Sequence, residues 1–318
     1  MIYNNSHHKV AASNIKFMSN MFEHHFTVND TNKNEPSTTL NLLFNSLSLT
    51  ENTLSKAQLK QAISKGALWL TRGKHTQRLR RVKKTLQHGD ELHFYYNEGV
   101  LASEVAEATL ISDEVDYSVW YKPFGMLSQG SKWSDHCTIA RFAQQYFTPE
   151  RAVFIVHRLD RAATGLILIA HTKKATRALA AMFENRTTDV NSLVKHYQII
   201  VHGNHSINEQ PQVISTDVDG KSARSTFTCL AYDEDTNQSL IEVKIDSGRK
   251  HQIRVHAASI GLPIVGDRLH GIADKNEEQN LQLCAVSLSF TCPLSINKES
   301  SINKQFTLAA HLKPQLIS

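Results

Sequence analysis

The chain has 318 residues, of which 41% are hydrophobic and 20% are charged, and its formal net charge is +5. This composition is typical of a soluble globular protein long enough for two domains, and no run of about 20 apolar residues is present to span a bilayer. The N-terminal residues lack the apolar centre of a secretory signal, so we expect a cytoplasmic protein. The four cysteines lie far apart without a CxxC pair, which indicates reduced thiols. No group of His, Cys, Asp and Glu has metal-ligand spacing, so no metal site is predicted.

The first predicted elements form a small α/β domain, residues 25–98, which follows a poorly ordered leader, residues 1–24. Apolar residues recur there first at helical spacing and then in the alternation of strands. Two helices and two strands are predicted, in order, at Thr39–Phe44, Leu54–Ile63, Ala67–Leu70 and Glu91–Tyr96.

This small domain carries a block of a single charge. From Ser55 to Leu86 there are ten Lys or Arg and no Asp or Glu. A solvated helix face is the common explanation of mixed charges, whereas a single-sign block repels itself and favours a polyanionic partner. The acidic stretch that follows, residues 99–114, predicts a linker that avoids nucleic acid and marks the domain boundary.

Residues 115–318 predict one larger α+β domain. Its strands come in runs and do not alternate strictly with helices, so we expect a mixed, largely antiparallel central sheet with flanking helices. The predicted strands are Val119–Tyr121, Ala152–Val156, Leu166–Ala170, Leu193–Val201, Arg224–Tyr232, Ser239–Ile245 and Leu281–Phe290, and the predicted helices are Ile139–Phe147, Lys173–Asn185 and Lys250–Ile260. Neither of the common Gly-rich phosphate loops, GxGxxG and GxxxxGK[ST], occurs in the sequence.

A charged turn, His157-Arg-Leu-Asp-Arg161, separates two of the predicted apolar strands. Such a turn must lie at the rim of a core, with its charges paired, solvated or in use. Asp160 is the only acid in residues 151–183 and has an arginine two residues before it and another directly after it. One interpretation is a rim salt bridge worth about 1 kcal/mol or less. The other is an ionised carboxylate that points into a cleft as a nucleophile or base, and the local sequence leaves both open.

A second polar segment concentrates cations at the start of a predicted helix. These residues are Arg249, Lys250, His251, Arg254 and His256. Each cation at a helix N-terminus opposes the helix dipole by about 0.3–1 kcal/mol. We therefore expect an anion, such as a phosphate or a carboxylate, to be brought there.

Taken together, these segments resemble the motifs of the RluA-type RNA pseudouridine synthases. The motifs are Lys122-Pro-x-Gly125 with Ser128-Gln129, His157-Arg-Leu-Asp160 with Gly165, Lys195-x-Tyr197, Gly248-Arg-Lys-His-Gln-Ile-Arg-Val-His256 and Gly266-Asp267 with Gly271. They follow the family's order over about residues 115–310, and the small basic domain resembles the S-four-type RNA-binding domain. Two positions, Ala163 and Cys284, depart from the family's usual residues, but Asp160 and Gly165 remain.

The resemblance implies an isomerase without cofactor or metal that converts specific uridines of structured RNA to pseudouridine. It implies that Asp160 attacks ribose carbon 1′ or initiates an elimination, that Tyr197 stacks on the target base, and that Arg254 pairs with the aspartate. RNA contacts are expected from His157, Arg158, Arg161, Lys122, Lys195, Arg249, Lys250 and His251 in the large domain and from Lys56, Lys60, Arg72, Lys74, Arg80 and Arg81 in the small one. We expect a monomer, without a membrane partner, that favours ribosomal over transfer RNA. The alternative is a non-catalytic RNA-binding or ribosome-assembly factor on the same fold.

Overall fold

A computed structural model describes residues 20–29, 38–184, 193–205, 210–273, 278–294 and 302–316. The chain divides into two compact units, Met1–Ser103 with Lys132–Ser134 and Glu104–Ser131 with Asp135–Ser318. Among the described residues, no helix has the length and apolar character needed to cross a membrane.

The first unit contains a four-stranded antiparallel sheet in the order β1-β4-β2-β3 with helices on one face. Its elements are β1 (Met21–Thr27), α1 (Thr39–Leu47), α2 (Lys56–Ser64), β2 (Leu68–Arg72), β3 (His75–Arg78), β4 (Glu91–Asn97) and α3 (Glu98–Ala102). In β4, Leu92 and Phe94 are fully buried while the residues that alternate with them are more exposed, as expected of a sheet with one covered face. Helix α2 begins with a capping box, in which Ser55 and Gln58 each accept a hydrogen bond from the other's backbone N–H.

Two boundaries of the predicted domains are wrong. Strand β1 begins at Met21, inside the predicted leader, and Phe22 and Phe26 pack against the core of the unit. The paired His24 and His25 obscured that alternation in the sequence. Part of the predicted acidic linker is also structured, because α3 and the strand Thr109–Asp113 lie within it. The first 19 residues of the predicted leader lie outside the described residues.

The second unit is built on a mixed sheet, which the described residues form with ten strands. Its strands are β5 (Thr109–Asp113), β6 (Tyr117–Lys122), β7 (Phe154–Ile155), β8 (Thr164–Ala170), β9 (Leu193–His202), β10 (Gln212–Ile214), β11 (Ser225–Asp233), β12 (Gln238–Ile245), β13 (Leu283–Thr291) and β14 (Asn303–Thr307). Its helices are α4 (Ile139–Tyr146), α5 (Lys173–Glu184) and α6 (Gln252–Ser259), and a 3₁₀ turn covers Ala310–Leu312.

The sheet runs in the order β10-β11-β12-β9-β13-β8-β6-β5, with β14 paired to β13 and β7 paired to β8. The β8–β13 pair is parallel, and every other pair formed by the described part of this sheet is antiparallel. The predicted α+β class with a mixed, largely antiparallel sheet is therefore confirmed.

Strand β8 shows why the charged turn precedes such an apolar run. Ile167 and Ile169 belong to the core on one face of the sheet, and Leu166 and Leu168 belong to the core on the other. A strand buried on both faces needs apolar residues at every position, so it loses the usual alternation. The charges of residues 157–161 therefore lie where the chain enters the core.

The start of β8 lies unusually close to β13. Gly165 has φ +109°, and a Cβ atom at this position would lie only 2.3 Å from the carbonyl oxygen of Ala285. A residue with a side chain would push β8 away from β13 and adopt a strained backbone. Gly165 thus fixes the position from which the preceding turn leaves the sheet.

Candidate active site

The turn before β8 is held by the loop that follows β6. Ser128 Oγ donates to the carbonyl oxygen of Leu159 at 2.8 Å and accepts from the N–H of Leu159 at 3.0 Å. The N–H of Gly125 donates to the carbonyl oxygen of Arg161 at 2.9 Å. These bonds fix the backbone on both sides of Asp160, so the carboxylate has a defined direction.

Lys122 is the centre of this attachment. Its side chain is fully buried, and Nζ donates to the carbonyl oxygens of Pro123 at 3.0 Å, Met126 at 2.9 Å and Arg161 at 3.4 Å. Burial lowers the pKa of Lys122 to about 7, and the negative charge of Asp160 opposes that shift. The predicted RNA contact at Lys122 is therefore wrong, because the ammonium group is enclosed by backbone carbonyls and does not reach the surface.

Asp160 opens onto a cavity of about 600 Å³ in the second unit. Its side chain is 30% exposed, and the cavity is also lined by Tyr197 and Lys195 from β9 and by His251. Tyr197 and Lys195 lie two residues apart on one strand and therefore point to the same face of the sheet. Strand β9 thus places an aromatic ring and a cation in the cavity that contains the carboxylate.

Arg254 lies on α6, with one nitrogen, NH1, 3.8 Å from Asp160 Oδ2. Its other two nitrogens form a two-point contact with Asp267: Nε to Oδ2 at 2.8 Å and NH2 to Oδ1 at 2.6 Å. Asp267 Oδ1 also accepts the N–H groups of Leu269 at 2.9 Å and His270 at 3.0 Å. The pairing of Arg254 with Asp160 has the geometry expected from the motif, but the strongest bonds of this arginine are to Asp267.

Asp267 is a functional candidate that the sequence did not reveal. Burial opposes its ionisation, but the hydrogen bonds from Arg254 and from the backbone of residues 269 and 270 outweigh this effect and hold the pKa of Asp267 below its ordinary value. Gly266 permits the tight turn, since a Cβ atom there would lie 2.4 Å from the backbone of Asn280. The only sequence signal was the position of Asp267 within the last motif. This carboxylate is also the anion near the cationic helix start.

The second unit is similar in sequence to known proteins. A family model described as RNA pseudouridylate synthase matches residues 116–259. The protein named dual-specificity RNA pseudouridine synthase RluA, from Vibrio parahaemolyticus, is 30% identical over 194 residues, which are 55% of this chain and 74% of that protein. This chain belongs to the RNA pseudouridine synthase family.

A second sequence relative and one solved structure are also similar to this chain. The protein named ribosomal large subunit pseudouridine synthase D, from Zymomonas mobilis, is 33% identical over 162 residues, which are 44% of this chain and 49% of that protein. The match therefore spans about half the length of that relative. The solved structure of human RNA Pseudouridylate Synthase Domain Containing 1 has a TM-score of 0.51 and 19% identity, and the alignment covers 65% of this chain and 85% of that one. This likeness shows the shared fold.

In the turn formed by residues 157–161, the side chain of His157 stabilises the structure. His157 Nε2 accepts the N–H of Leu168 at 2.9 Å, and its ring stacks on Phe183 at 4.2 Å between centroids. This nitrogen is used to hold the turn on β8 and is not available to RNA. Lys195 Nζ lies 4.5 Å above the same Phe183 ring, so the end of α5 supports both residues at the edge of the cavity.

The remaining predicted contacts of this unit lie nearer the surface. Arg158 and Lys250 are exposed, and Arg158 and Arg249 line the cavity. Arg249 Nε donates to the carbonyl oxygen of Ser222 at 3.0 Å, and Arg161 Nε donates to that of Gly125 at 3.3 Å. Their contacts with RNA stay predictions.

In the first unit the basic block separates into surface and structural residues. Lys56, Lys60, Lys74 and Arg81 are exposed, and Arg80 is half-buried. Arg72 instead donates to Asp90 through Nε at 2.7 Å and NH2 at 2.6 Å. We therefore expect Arg72 to be less available to RNA than the exposed cations of this unit, because a buried carboxylate just beyond the acid-free stretch holds two of its three guanidinium nitrogens.

Proposed function

We propose that this chain converts specific uridines of structured RNA to pseudouridine and that ribosomal RNA is favoured over transfer RNA. The observation that carries the proposal is the partly exposed carboxylate of Asp160 in a cavity of about 600 Å³ lined by Tyr197. Cavities of about 300–1,000 Å³ hold a single small ligand. Enzymes that modify a base extrude one nucleotide into such a pocket.

The proposed reaction is a rearrangement within one nucleotide. The bond between nitrogen 1 of uracil and ribose carbon 1′ breaks, the base turns, and carbon 5 forms the new bond to carbon 1′. Carbon 5 loses its proton and nitrogen 1 gains one, so the formula of the RNA does not change. Asp160 begins the sequence by attack on carbon 1′ or by taking a ribose proton. One ionised carboxylate is sufficient here, whereas glycoside hydrolysis uses two that flank the bond.

Tyr197 and the surface cations have separate tasks in this scheme. Extruding a paired uridine costs a few kcal/mol, and stacking on an aromatic ring recovers part of this cost. Phosphate contacts supply the sequence-independent part of RNA affinity, and we expect Arg158 and Arg249, which line the cavity, to make some of them. The small unit has exposed cations of its own, Lys56 and Lys60 of α2, and we expect them to make further phosphate contacts.

The preference for ribosomal RNA rests on two considerations. One relative is named a ribosomal large subunit enzyme, and an appended basic unit suits a large folded RNA with phosphates at many positions. Transfer RNA is the alternative substrate class that the test must separate.

The test is a map of pseudouridines in ribosomal and transfer RNA from cells with and without this protein. We expect at least one site to disappear on deletion, to return with the wild-type protein, and to stay absent with Asp160→Asn, which keeps the size of the side chain but cannot supply a carboxylate. Asp235→Asn is the matched control, since Asp235 is exposed in the turn between β11 and β12, and it should restore the site. If no site is lost on deletion, the chain is a binding factor. If the Asn variant restores the site, Asp160 has another role.

A further inference from the structure

Two histidines, His251 and His270, lie in line with Asp160.

 

His251 Nδ1 and His270 Nε2 are 2.9 Å apart, and the two rings meet edge-on with their centroids 5.0 Å apart. The other nitrogen of His251, Nε2, lies 3.7 Å from Asp160 Oδ2. The three side chains therefore form a row, from His270 through His251 to the carboxylate.

The row has only one favourable proton arrangement when both histidines are neutral. A neutral imidazole donates from one nitrogen and accepts at the other, whereas an ionised carboxylate only accepts. If His251 carries its proton on Nε2, it can donate to Asp160, and its Nδ1 must then receive a proton from His270 Nε2. The opposite arrangement directs the lone pair of His251 Nε2 at a carboxylate oxygen, which is repulsive.

The backbone holds both rings in place. His251 is the residue before α6 and has φ +57°, a left-handed conformation that few residues with side chains adopt. The N–H of His270 donates to Asp267 Oδ1 at 3.0 Å, and Asp267 is in turn bound to Arg254. The residue that orients the arginine thus also anchors the second histidine.

Burial and several neighbouring groups shift the pKa of His251. Burial is the largest influence and lowers its pKa, the charge of Asp160 opposes this, and Arg254, His270 and Lys250 lower it further. Asp160 comes from the turn before β8, Lys250 from the turn before α6, Arg254 from α6 itself, and His270 from the turn after Asp267. At neutral pH the neutral form of His251 therefore predominates, and the choice of tautomer matters.

We propose that His270 is a positioning residue for the reaction: by donating to His251 Nδ1, it keeps the proton of His251 on Nε2, directed at the carboxylate of Asp160. The inference rests on the proposed function, because it assigns a role in that reaction. The gap of 3.7 Å is longer than a hydrogen bond, but catalytic hydrogen bonds are often long before substrate binds and shorten in the complex. His251 and Arg254 then fix the nucleophile from two directions.

The test compares His270→Phe with His270→Gln in the full-length protein. Phenylalanine keeps a ring but cannot donate, whereas the glutamine amide can donate to His251 Nδ1. We expect His270→Phe to lower kcat about 10- to 100-fold, which corresponds to one lost hydrogen bond to a charged group, with KM nearly unchanged. His270→Gln should recover most of kcat, and His311→Phe, at an exposed position, should have no effect.

The pH profile separates this role from a packing defect. A protonated His251 carries a proton on both nitrogens and donates to Asp160 without help from His270. The kcat of His270→Phe should therefore approach that of the wild type as the pH falls from 8 towards 5. A packing defect would instead leave the ratio of the two kcat values constant over this pH range. An unchanged kcat in His270→Phe, equal losses in both variants, or a constant ratio would each overturn the proposal.

A spectroscopic measurement covers the case in which the variants fail to fold. The ¹⁵N chemical shifts of the His251 ring in the wild-type protein distinguish the two tautomers, and we expect the Nε2–H form at pH 7.5. The Nδ1–H form would overturn the inference. A wild-type protein that forms no pseudouridine would instead refute the proposed function, so the two failures are distinguishable.

Discussion

The two units contain arginine–aspartate contacts of nearly the same local geometry but with different consequences. In the first unit Arg72 on β2 binds Asp90 through Nε and NH2 at 2.7 and 2.6 Å. In the second unit Arg254 on α6 binds Asp267 through the same two nitrogens at 2.8 and 2.6 Å. Both aspartates also accept backbone N–H groups, from Gln87 in the first case and from residues 269 and 270 in the second.

The surroundings of the guanidinium distinguish the two contacts. The side chain of Arg72 is 41% exposed, so water solvates the charge that Asp90 does not neutralise. The side chain of Arg254 is 7% exposed, and its NH1 lies 3.8 Å from Asp160. A two-point contact with a buried aspartate therefore does not by itself indicate function. The neighbour of the remaining guanidinium nitrogen, NH1, decides whether the arginine only fixes a turn or also acts on a reacting group.

The largest effect is expected from Arg254→Lys. Lysine keeps the positive charge but cannot bind Asp267 through two parallel hydrogen bonds and also reach Asp160. We expect kcat for pseudouridine formation to fall about 10²- to 10³-fold, the size usual for the loss of one preorganised donor. The matched variant Arg72→Lys should leave kcat within twofold of the wild type. If Arg254→Lys retains a tenth of the activity or more, the fixed guanidinium is not needed.

The second largest effect is expected on the free energy of unfolding of the second unit. Asp267→Asn removes the charge that compensates the buried Arg254, so the free energy of unfolding should fall by about 3–5 kcal/mol. Asp90→Asn should cost less, because Arg72 is partly exposed to water. Urea unfolding with hydrogen exchange followed in α6 and in β4 measures the two units separately. Equal losses in the two variants would contradict the contrast drawn from exposure.

The pH dependence of unfolding provides an independent check on the Asp267 variant. The pKa of Asp267 lies below its ordinary value of 3.8, so around and below that pH the unfolded chain binds more protons than the folded one. Its contribution to stability is present above pH 3.8 and is lost as the pH falls through the lower folded value. The difference between wild type and Asp267→Asn should therefore be constant from pH 7 to pH 5 and shrink below pH 4.

The smallest effect is expected from the surface lysines of the first unit. Lys56→Gln combined with Lys60→Gln should lower the slope of log affinity against log salt by at most about 1.8, since each phosphate contact contributes about 0.7–0.9. Arg72→Gln should leave the slope unchanged, because its guanidinium is held by Asp90. Filter binding of ribosomal RNA fragments between 50 and 200 mM salt would measure both. An unchanged slope in the double variant would remove α2 from the RNA-binding surface.

The site could be predicted where local sequence alone decides the chemistry. Asp160 stood out because it is a lone acid in a turn between apolar strands, whereas the close approach of Gly165 to β13 is visible only in the structure. Lys122 was assigned wrongly as an RNA contact, because a cation is usually at the surface and its burial depends on acceptors that only folding brings together. For Lys122 these acceptors are three backbone carbonyls, which leave no trace in side-chain composition.

The fold class, the candidate carboxylate Asp160 and the block of basic residues could be read from the sequence, because hydrophobic periodicity, motifs and charge blocks are patterns along the chain. The tertiary structure alone decided which charges neutralise each other. Asp267 lies 13 residues from Arg254, and His270 lies 19 residues from His251, and nothing local predicts that these pairs meet. Hydrogen bonds and charge pairs act over a few ångströms in space, so their partners are set by how the chain folds back on itself.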